Sequence, residues 1–383
     1  MRAKSILRRV VEPCQRVVHA KRLGSVVACS EAVIKAQKLT PAAIGRGLPG
    51  RPKHGIKRVD RLLANSALHT QRWAIFQALA QHLLAGTARP VIVVDWTQAL
   101  GTFRALAAAV PIGGRAITIL VQVHPESKLG NSSVQRRFLQ LLSRVVPSDC
   151  RPCIVTDAGF HGPFFRAVEG LGWEYLGRIR GTATALRVGD SRRVTKDELY
   201  EIATRKPADL GAFDLYAAPR TIRSRVVLAH KPHKSRKLPP PKNKEEREYR
   251  KSCRDPWLLA TSMGDSADHV VATYAKRMQI EETFRDAKNH RFGWSFRTAR
   301  SDCPERIATL LMLAALAMYA VTIIGLAAEE LGAQAAYRAN TVARRVLSLF
   351  VLGCQVIQRQ DVAFATPRAW KHAVLSLRQA ARC

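Results

Sequence analysis

Apolar positions recur at helical spacing through most of the first 85 residues. The spacing is clear in Leu62-Leu63-Ala64 and from Trp73 to Leu84, and turn residues at 39–41 and 45–53 separate the segments. Apolar residues at intervals of three and four cover one face of a helix, whereas clusters of Gly and Pro interrupt regular structure. The pattern therefore predicts a helical region over residues 1–88, which includes a weak indication of a helix-turn-helix.

From Pro90 the pattern changes to short, continuous apolar runs. Three such runs are rich in β-branched residues and predict strands buried on both faces: Val91–Asp95, Ala116–Val123 and Cys153–Asp157. Amphipathic spacing over Val134–Val146 predicts a helix, and Gly162-Pro163 opens a shorter one that ends at Gly170. Strands and helices in this order predict an α/β domain with a mixed sheet, whose first part covers residues 89–172.

Residues 173–262 follow a third pattern, in which apolar and polar residues alternate over short runs. The alternation predicts a β-rich insertion with strands near Trp173–Arg180, Phe213–Ala217 and Arg223–Ala229, and with a basic, proline-containing loop at 230–249. From Ser266 to about Cys354 the spacing is again helical. We expect residues 263–330 to complete the α/β domain and residues 331–383 to form a helical C-terminal region that serves dimerisation.

The distribution of charge along the chain indicates what kind of partner the protein binds. The chain has 383 residues, 62 Lys and Arg against 29 Asp and Glu, and a net charge of +33, while 47% of its residues are hydrophobic. Residues 1–90 carry a net charge of +14, 220–254 carry +10 and 331–383 carry +7, whereas the remainder carries only +2. A chain this apolar is folded, and three basic segments around a nearly neutral body favour nucleic acid as the partner. We expect residues 1–88 to be a helical DNA-binding region that docks on the backbone or in the major groove of a duplex.

The cysteines and the N-terminal residues indicate the cellular compartment in which the protein is found. Eight cysteines lack the dense spacing of a secreted scaffold, and the first residues lack an apolar signal-peptide core. We therefore expect a cytoplasmic protein with reduced thiols. Cys150 and Cys153 form a lone CxxC without a second ligand pair, so we interpret them as core residues and not as a metal or redox site.

One segment carries a competing membrane hypothesis. Ile307 to Ala328 is uncharged for 22 residues, which is long enough to cross a bilayer. It is rich in Ala, however, follows Pro304-Glu305 as a soluble helix would, and is followed by two Glu residues instead of Lys or Arg. We expect a buried core helix with no membrane partner.

Two carboxylates stand at the ends of predicted strands. Asp95 follows Val91–Val94 and Asp157 follows Ile154-Val155-Thr156. A carboxylate at the C-terminal end of a buried strand is held at the sheet edge where ligands bind. The alternative for either residue alone is an aspartate that caps a helix or stabilises a turn.

A third candidate carboxylate lies on the predicted helix 270–288. At about 100° per residue, Tyr274, Arg277, Glu281 and Lys288 fall on one narrow face, which Glu282 and Asp286 do not share. A single stripe of Tyr, Arg, Glu and Lys is unusual for a surface that faces a core. The alternative is a solvated face with an Arg277–Glu281 ion pair.

These residues carry a family resemblance. Tyr274-x2-Arg277-x3-Glu281-x6-Lys288 resembles the Y-R-E-K signature of the insertion-sequence-four family of bacterial DDE transposases. The resemblance covers about residues 50–330 and implies an RNase H-like catalytic domain with Asp95, Asp157 and Glu281 as the metal-binding triad. Phosphodiester chemistry independently suits three carboxylates that hold two Mg²⁺ ions, with Mn²⁺ as a substitute.

The resemblance also implies contacts with DNA. Tyr274, Arg277 and Lys288 would contact the terminal phosphates of the transposon end. Trp257, in Pro256–Ser262, would stack on a base displaced from the duplex, and its alternative role is that of a buried strand residue. Arg178 and Arg180 are further predicted DNA contacts.

The leading functional hypothesis is therefore a cut-and-paste transposase. It would bind terminal inverted repeats and target DNA as a homodimer, close to the bacterial nucleoid, and cleave and join strands with water and then the 3′-hydroxyl as nucleophiles. The alternative is a catalytically inactive, DNA-binding derivative that inhibits transposition.

Overall fold

A computed structural model describes most of the chain. It covers all residues except 1–2, 182–183, 219–220, 231–239, 242, 245, 248–249, 251–253, 292 and 360–366. The chain divides into two compact units. The larger unit comprises Met1–Pro152 and Met278–Cys383, and the smaller unit comprises Cys153–Arg277.

The N-terminal part of the larger unit is helical, as the sequence pattern predicts. Its helices are Ala3–Val11, Ala20–Ala36, Pro41–Arg46, Pro52–Leu63 and Ser66–Leu84, with a 3₁₀ turn at Glu12–Arg16. The helix starts follow local chemistry, because Pro41 and Pro52 occupy first-turn positions that need no amide hydrogen. The Asn65 side chain likewise accepts a hydrogen bond of 2.8 Å from the Leu68 amide.

Three antiparallel strands follow: β1 (Val91–Gln98), β2 (Phe103–Ile112) and β3 (Arg115–Pro125), with β2 in the middle. The apolar pattern did not predict β2, because its central residues are mainly Ala, which has a low strand propensity. The prediction that β1 ends at Asp95 is also wrong. The strand continues to Gln98 because its last residues pair with β2, for example Trp96 with Leu106.

The remaining helices of the larger unit pack against this sheet or against other helices of the unit. They are Ser132–Val145, Met278–Lys288, Pro304–Glu330, Leu349–Gln358 and Pro367–Ala380, with 3₁₀ turns at Glu126–Lys128, Phe296–Thr298 and Ala333–Tyr337. The expectation of helix from 266 to about 354 is wrong at residues 289–291, 293–303 and 338–348, where α-helix is interrupted. In the first interruption Gly293 lies so close to the helix end that a Cβ there would overlap the Asp286 carbonyl oxygen.

Pro304–Glu330 is, among the described residues, the one helix long and apolar enough to cross a membrane. Its most apolar 18-residue window is 89% buried inside the protein. The helix packs against β3 and against the helices Ala20–Ala36 and Leu349–Gln358 of the same unit. Its apolar surface is thus covered by protein, as expected for a core helix.

Two glycines let this long helix cross Leu349–Gln358 at close range. A Cβ at Gly325 would overlap the Leu349 carbonyl oxygen, and one at Gly353 would overlap the Val321 carbonyl oxygen. We expect Gly325→Ala to lower the free energy of unfolding by about 3 kcal/mol, since backbone must move to admit the methyl group. Gly24→Ala is the control, because it lies in a helix with nothing within 4 Å of the added carbon. Equal thermal midpoints for the two variants in scanning calorimetry would contradict the proposed helix contact.

A half-buried histidine, His82, is expected to make the larger unit sensitive to acid. Nδ1 of His82 lies 2.6 Å from the Tyr319 hydroxyl, and burial together with Arg378 and Arg9 lowers the pKa of His82 from 6.5 to about 4. Between pH 6.5 and about 4, His82 is therefore protonated in the unfolded chain but neutral in the folded chain. We expect stability to fall as pH drops from 6.5 towards 4, by up to about 3 kcal/mol.

Thermal unfolding measured across this pH range tests the expectation. The profile should flatten in His82→Gln, and the exposed His54→Gln should leave it unchanged. An unchanged slope in His82→Gln would assign the acid sensitivity to another group.

The smaller unit contains a sheet of seven described strands. They are β4 (Cys153–Thr156), β5 (Glu174–Arg178), β6 (Thr184–Arg187), β7 (Arg193–Thr195), β8 (Ala208–Leu215), β9 (Ile222–Ala229) and β10 (Trp257–Thr261). Within the unit their order is β4-β5-β10-β9-β8-β6-β7, and β4 and β5 are parallel while the other pairs are antiparallel. Its helices are Gly162–Glu169, Lys196–Glu201 and Ala267–Ala275. Most of the predicted basic loop at 230–249 lies outside the described residues.

The protein is thus a mixed α/β chain, as the sequence predicts. The seven cysteines that the structure describes form no disulfide bonds. Cys150 is buried, donates to the Thr87 carbonyl oxygen at 3.1 Å and has its pKa raised by burial to about 11. A thiol so strongly protonated fits the interpretation of Cys150 as a core residue.

Candidate active site

Asp95 lies inside β1 and is only 6% exposed. Its backbone pairs with Ala107 of β2, so the position of its carboxylate is fixed by the central strand pair. Thr97 lies two residues further along and therefore on the same face of the sheet. An aspartate buried to this extent is not a solvated turn residue.

Glu281 is half-buried on the helix Met278–Lys288, which is fastened to the β2–β3 hairpin. The Thr283 hydroxyl accepts a 2.7 Å hydrogen bond from the Ala116 amide, and Nε of Arg115 lies 2.5 Å from the Asp286 carboxylate. Burial raises the pKa of Asp286, and Arg115 opposes this shift. These contacts of Thr283 and Asp286 hold the helix close to Glu281.

Lys288 ends the same helix and reaches β1. Its Nζ donates a 2.5 Å hydrogen bond to the Thr97 hydroxyl. Burial, together with Arg297 and Arg104, lowers the pKa of Lys288 from 10.5 to about 8, and Asp95 opposes this shift. The predicted residues Lys288 and Asp95 are therefore close enough to influence each other electrostatically.

The expectation of one continuous helix with Tyr274, Arg277, Glu281 and Lys288 in a stripe is wrong. A turn at Lys276 and Arg277 separates Ala267–Ala275 from Met278–Lys288. The amides of Lys276 and Arg277 bond to carbonyls three residues earlier, which tightens the backbone and ends the 100° repeat. The spacing of 100° per residue holds only along a regular helix. The sequence carries no Gly or Pro here that would signal the turn.

In the smaller unit Tyr274 joins Trp257 and Arg277. Tyr274 is 3% exposed, and its ring meets the Trp257 ring edge-on with centroids 4.8 Å apart. The Arg277 guanidinium carbon lies 5.9 Å from the centre of the Tyr274 ring, and its side chain bonds to the tyrosine. Burial raises the pKa of Tyr274, while Arg277 and Arg178 oppose the shift and Asp157 adds to it. These predicted residues therefore form one electrostatically connected cluster.

Arg178 holds the segment that precedes Trp257. It is 8% exposed at the end of β5, and its Nη2 donates to the carbonyl oxygens of Asp255 at 3.0 Å and Pro256 at 3.2 Å. Burial lowers its pKa, and Arg180 lowers it further. The Arg178 side chain is thus directed into the protein, whereas Arg180 is half-buried beside it.

Tyr200 belongs to this cluster and was missed by the sequence analysis. Burial raises its pKa, and Arg178, Lys196 and Arg180 oppose the shift. The Lys196 ammonium lies 5.2 Å from the centre of the Tyr200 ring. Both residues lie on a six-residue helix without a recognisable motif, and their spacing of four residues was the only available signal.

Asp157 directly follows β4, as predicted from the apolar run before it. It is half-buried, and its Oδ1 accepts a 2.8 Å hydrogen bond from the Gly159 amide. This bond fixes the turn that leaves the strand, so Asp157 also performs the turn role considered as its alternative. The same carboxylate carries a second oxygen, Oδ2, outside this bond.

Comparison with known families identifies the chain. A family model described as the transposase DDE domain matches residues 87–319. The protein belongs to this family. No curated protein matches the sequence. A solved structure, the cryo-EM synaptic complex of piggyBac transposase with hairpin DNA, is 9% identical, with a TM-score of 0.41 over 98% of this chain and 82% of that chain.

The match to the transposase DDE domain contains every site residue predicted above, from Asp95 to Lys288. It leaves the first 86 and the last 64 residues outside the family model. The larger unit carries Asp95, Glu281 and Lys288 of this DDE transposase, and the smaller unit carries Asp157 and the Tyr274 cluster. Within the part of the chain that the structure describes, no three His, Cys, Asp or Glu side chains form a group able to hold a metal ion.

Proposed function

We propose that this transposase excises and inserts an insertion sequence by a cut-and-paste mechanism, with Asp95, Asp157 and Glu281 as its catalytic acids. The proposal rests chiefly on the family match, since residues 87–319 include all three acids. We propose further that the transposase is a member of the insertion-sequence-four family with the RNase H-like fold of that family in its catalytic domain. The order and spacing of Tyr274, Arg277, Glu281 and Lys288 along the chain support this proposal.

The three acids suit divalent metal ions, which we propose to be two Mg²⁺ ions with Mn²⁺ as a substitute. Carboxylate oxygens are the donors that Mg²⁺ and Mn²⁺ prefer. Three negatively charged side chains repel one another unless a cation lies between them. We therefore expect the three acids to come together when metal ions bind. When bound, such ions activate the attacking oxygen and stabilise the leaving oxygen of a phosphodiester.

The remaining site residues supply positive charges for DNA phosphates and an aromatic ring for a DNA base. We propose that Arg277 and Lys288 bind terminal phosphates of the DNA end, because charged donors form the strongest hydrogen bonds to phosphate oxygens. Tyr274 orients Arg277 through the bond between their side chains. Trp257, half-buried against Tyr274, offers its ring to a base displaced from the duplex.

We propose that Arg178 is a positioning residue for Trp257 and not itself a DNA contact. Arg178→Lys retains the charge but cannot reproduce the planar fork that holds two carbonyl oxygens. We expect this variant to bind DNA with unchanged affinity and to lose at least half of the base-displacement signal, measured with 2-aminopurine at the terminal base.

Two further variants make this result specific. Arg180→Lys should retain the signal, and Trp257→Ala should abolish it. If Arg178→Lys instead weakens DNA binding while the signal per bound complex stays constant, Arg178 contacts DNA directly.

An excision assay tests the proposed function. A reporter gene is interrupted by a segment bounded by the DNA that flanks the reading frame, and the transposase is supplied in the same cell. We expect precise loss of the segment and restoration of the reporter. Binding of the flanking DNA without excision or nicking would support the inactive, inhibitory derivative instead.

A further inference from the structure

Thr97 joins the end of β1 to the end of the helix Met278–Lys288. Its hydroxyl accepts the 2.5 Å hydrogen bond that Nζ of Lys288 donates, and both residues belong to the larger unit. The spacing from Tyr274 to Lys288 that carries the family resemblance does not include Thr97. The contact therefore adds a residue of β1 to the surroundings of Lys288.

Thr97 is a rigid acceptor for a flexible donor. Its backbone pairs with Ala105 of β2, and β2 is in turn paired with β3 on its other edge. A β-branched side chain such as Thr has few χ1 rotamers, so the hydroxyl position follows the strand. Lys288 carries its charge on a four-carbon stem with many rotamers. A bond to Thr97 therefore fixes the direction of an otherwise mobile cation.

The other surroundings of Lys288 are largely apolar. Thr97 and Lys288 line a cavity of about 30 Å³ whose walls include Ala99, Ala105 and Phe284. Nζ of Lys288 lies 5.4 Å from the centre of the Phe284 ring, which is within the range of a cation–π contact. Among the described residues that line the cavity, none is acidic. The Thr97 hydroxyl thus gives the ammonium group an acceptor that carries no charge.

An uncharged acceptor leaves Lys288 able to bind an anion. Burial lowers the pKa of Lys288, as do Arg297 in the following 3₁₀ turn and Arg104 on β2, whereas Asp95 on β1 opposes the shift. The hydrogen bond to Thr97 favours the charged form. It also occupies one of the three N–H donors of the ammonium group and leaves two for phosphate oxygens. Thr97 therefore orients the charge without neutralising it.

We propose that Thr97 is a positioning residue that directs the Lys288 ammonium group towards a terminal phosphate of the DNA end. The inference rests on the proposed function, which assigns Lys288 to such a phosphate. It extends that function to a side chain of β1, and it requires that Thr97 acts on the phosphate only through Lys288.

The preference for a phosphorylated DNA end tests the proposal. The probes are two 30-base-pair duplexes of the DNA that borders the reading frame, identical except that the 5′ end at the element boundary carries a phosphate or a hydroxyl. Fluorescence anisotropy with the full chain gives the ratio of the two affinities. We expect the unmodified chain to prefer the phosphorylated duplex, and Thr97→Val to lower the ratio by at least about fivefold, since a hydrogen bond to a charged group is lost.

Two variants control for the shape of the site. Thr97→Ser keeps the hydroxyl and should hold the ratio within about twofold of the unmodified value. Thr118 lines the same cavity from β3, so Thr118→Val makes the same change there and should leave the ratio unaltered. Equal losses in Thr97→Val and Thr118→Val would overturn the proposal, because altered packing would explain both. A loss in Thr97→Ser as large as that in Thr97→Val would overturn it too.

A double variant tests whether Thr97 acts through Lys288. Lys288→Met removes the ammonium group and retains an unbranched side chain. Thr97→Val should lower the ratio in the unmodified chain and cause no further loss in the Lys288→Met chain, since two residues of one interaction are not additive. A further loss in the double variant would overturn the proposal, as would an unchanged ratio in Thr97→Val alone or the absence of any preference in the unmodified chain.

Cleavage of the same phosphorylated duplex separates this inference from the proposed function. If the ratio responds as expected but the duplex stays intact in both Mg²⁺ and Mn²⁺, the role of Thr97 is supported and the catalytic proposal fails. If the unmodified chain cleaves the duplex and Thr97→Val leaves the ratio unchanged, the catalytic proposal is supported and the role of Thr97 fails. If the unmodified chain binds neither duplex, both fail.

Discussion

Replacement of Glu281 by alanine is expected to lower the rate of metal-dependent DNA cleavage by at least about 10³-fold while duplex affinity stays within about twofold. Loss of a carboxylate that holds a catalytic metal ion removes several kcal/mol of transition-state stabilisation. The fold should persist, because Thr283 and Asp286 anchor the helix to the hairpin. Cleavage of a labelled duplex under single-turnover conditions measures the rate.

Glu282→Ala is the matched control for this experiment. It removes the same charge one residue away, from a carboxylate that is already paired with Arg285. We expect cleavage by this variant to remain within about threefold of the unmodified rate, as is usual for a surface ion pair worth at most about 1 kcal/mol. Normal cleavage by Glu281→Ala would reject Glu281 as a catalytic acid.

The second large effect is expected at Arg277. Arg277→Ala should slow cleavage by roughly 10²-fold, because a charge-assisted hydrogen bond to phosphate is worth about 1.5–3 kcal/mol. Lys276→Ala removes a neighbouring positive charge in the same turn and should change the rate only slightly. Tyr274→Phe removes the hydroxyl that bonds Arg277 and should show an intermediate loss. Equal losses in the Lys276 and Arg277 variants would reduce the role of Arg277 to general electrostatic attraction.

The secondary structure of this protein could be predicted where apolar spacing and local chemistry agree. The strands around Asp95 and Asp157 are nearly continuous Val and Ile, and the helices of the first 85 residues begin at Pro or are capped by polar residues. β2 could not be predicted in this way, because its Ala-rich sequence becomes a strand only by pairing with β1 and β3 on both edges. Tertiary contacts outweighed propensity there.

The residues of the candidate site, like the secondary structure, could be predicted only where the signal lies in the neighbouring sequence. Asp157, Tyr274 and Arg277 could be named from the strand end and the signature spacing. The inward direction of Arg178 and the place of Tyr200 depend on contacts with distant segments. The turn at Lys276–Arg277 is made by local hydrogen bonds but carries no Gly or Pro that would signal it. Arg178 in particular was predicted to contact DNA. In the structure its side chain is buried, and its guanidinium donates to the carbonyl oxygens beside Trp257.

As proposed above, Asp95, Asp157 and Glu281 together make this transposase a metal-dependent nuclease. The most direct test incubates the unmodified transposase with Mg²⁺ and an end-labelled duplex that carries the DNA bordering the reading frame. We predict cleavage at the element boundary that leaves a 3′-hydroxyl and is abolished by EDTA and by alanine at any one of the three acids. A duplex that is bound but left intact in both Mg²⁺ and Mn²⁺ would contradict the claim.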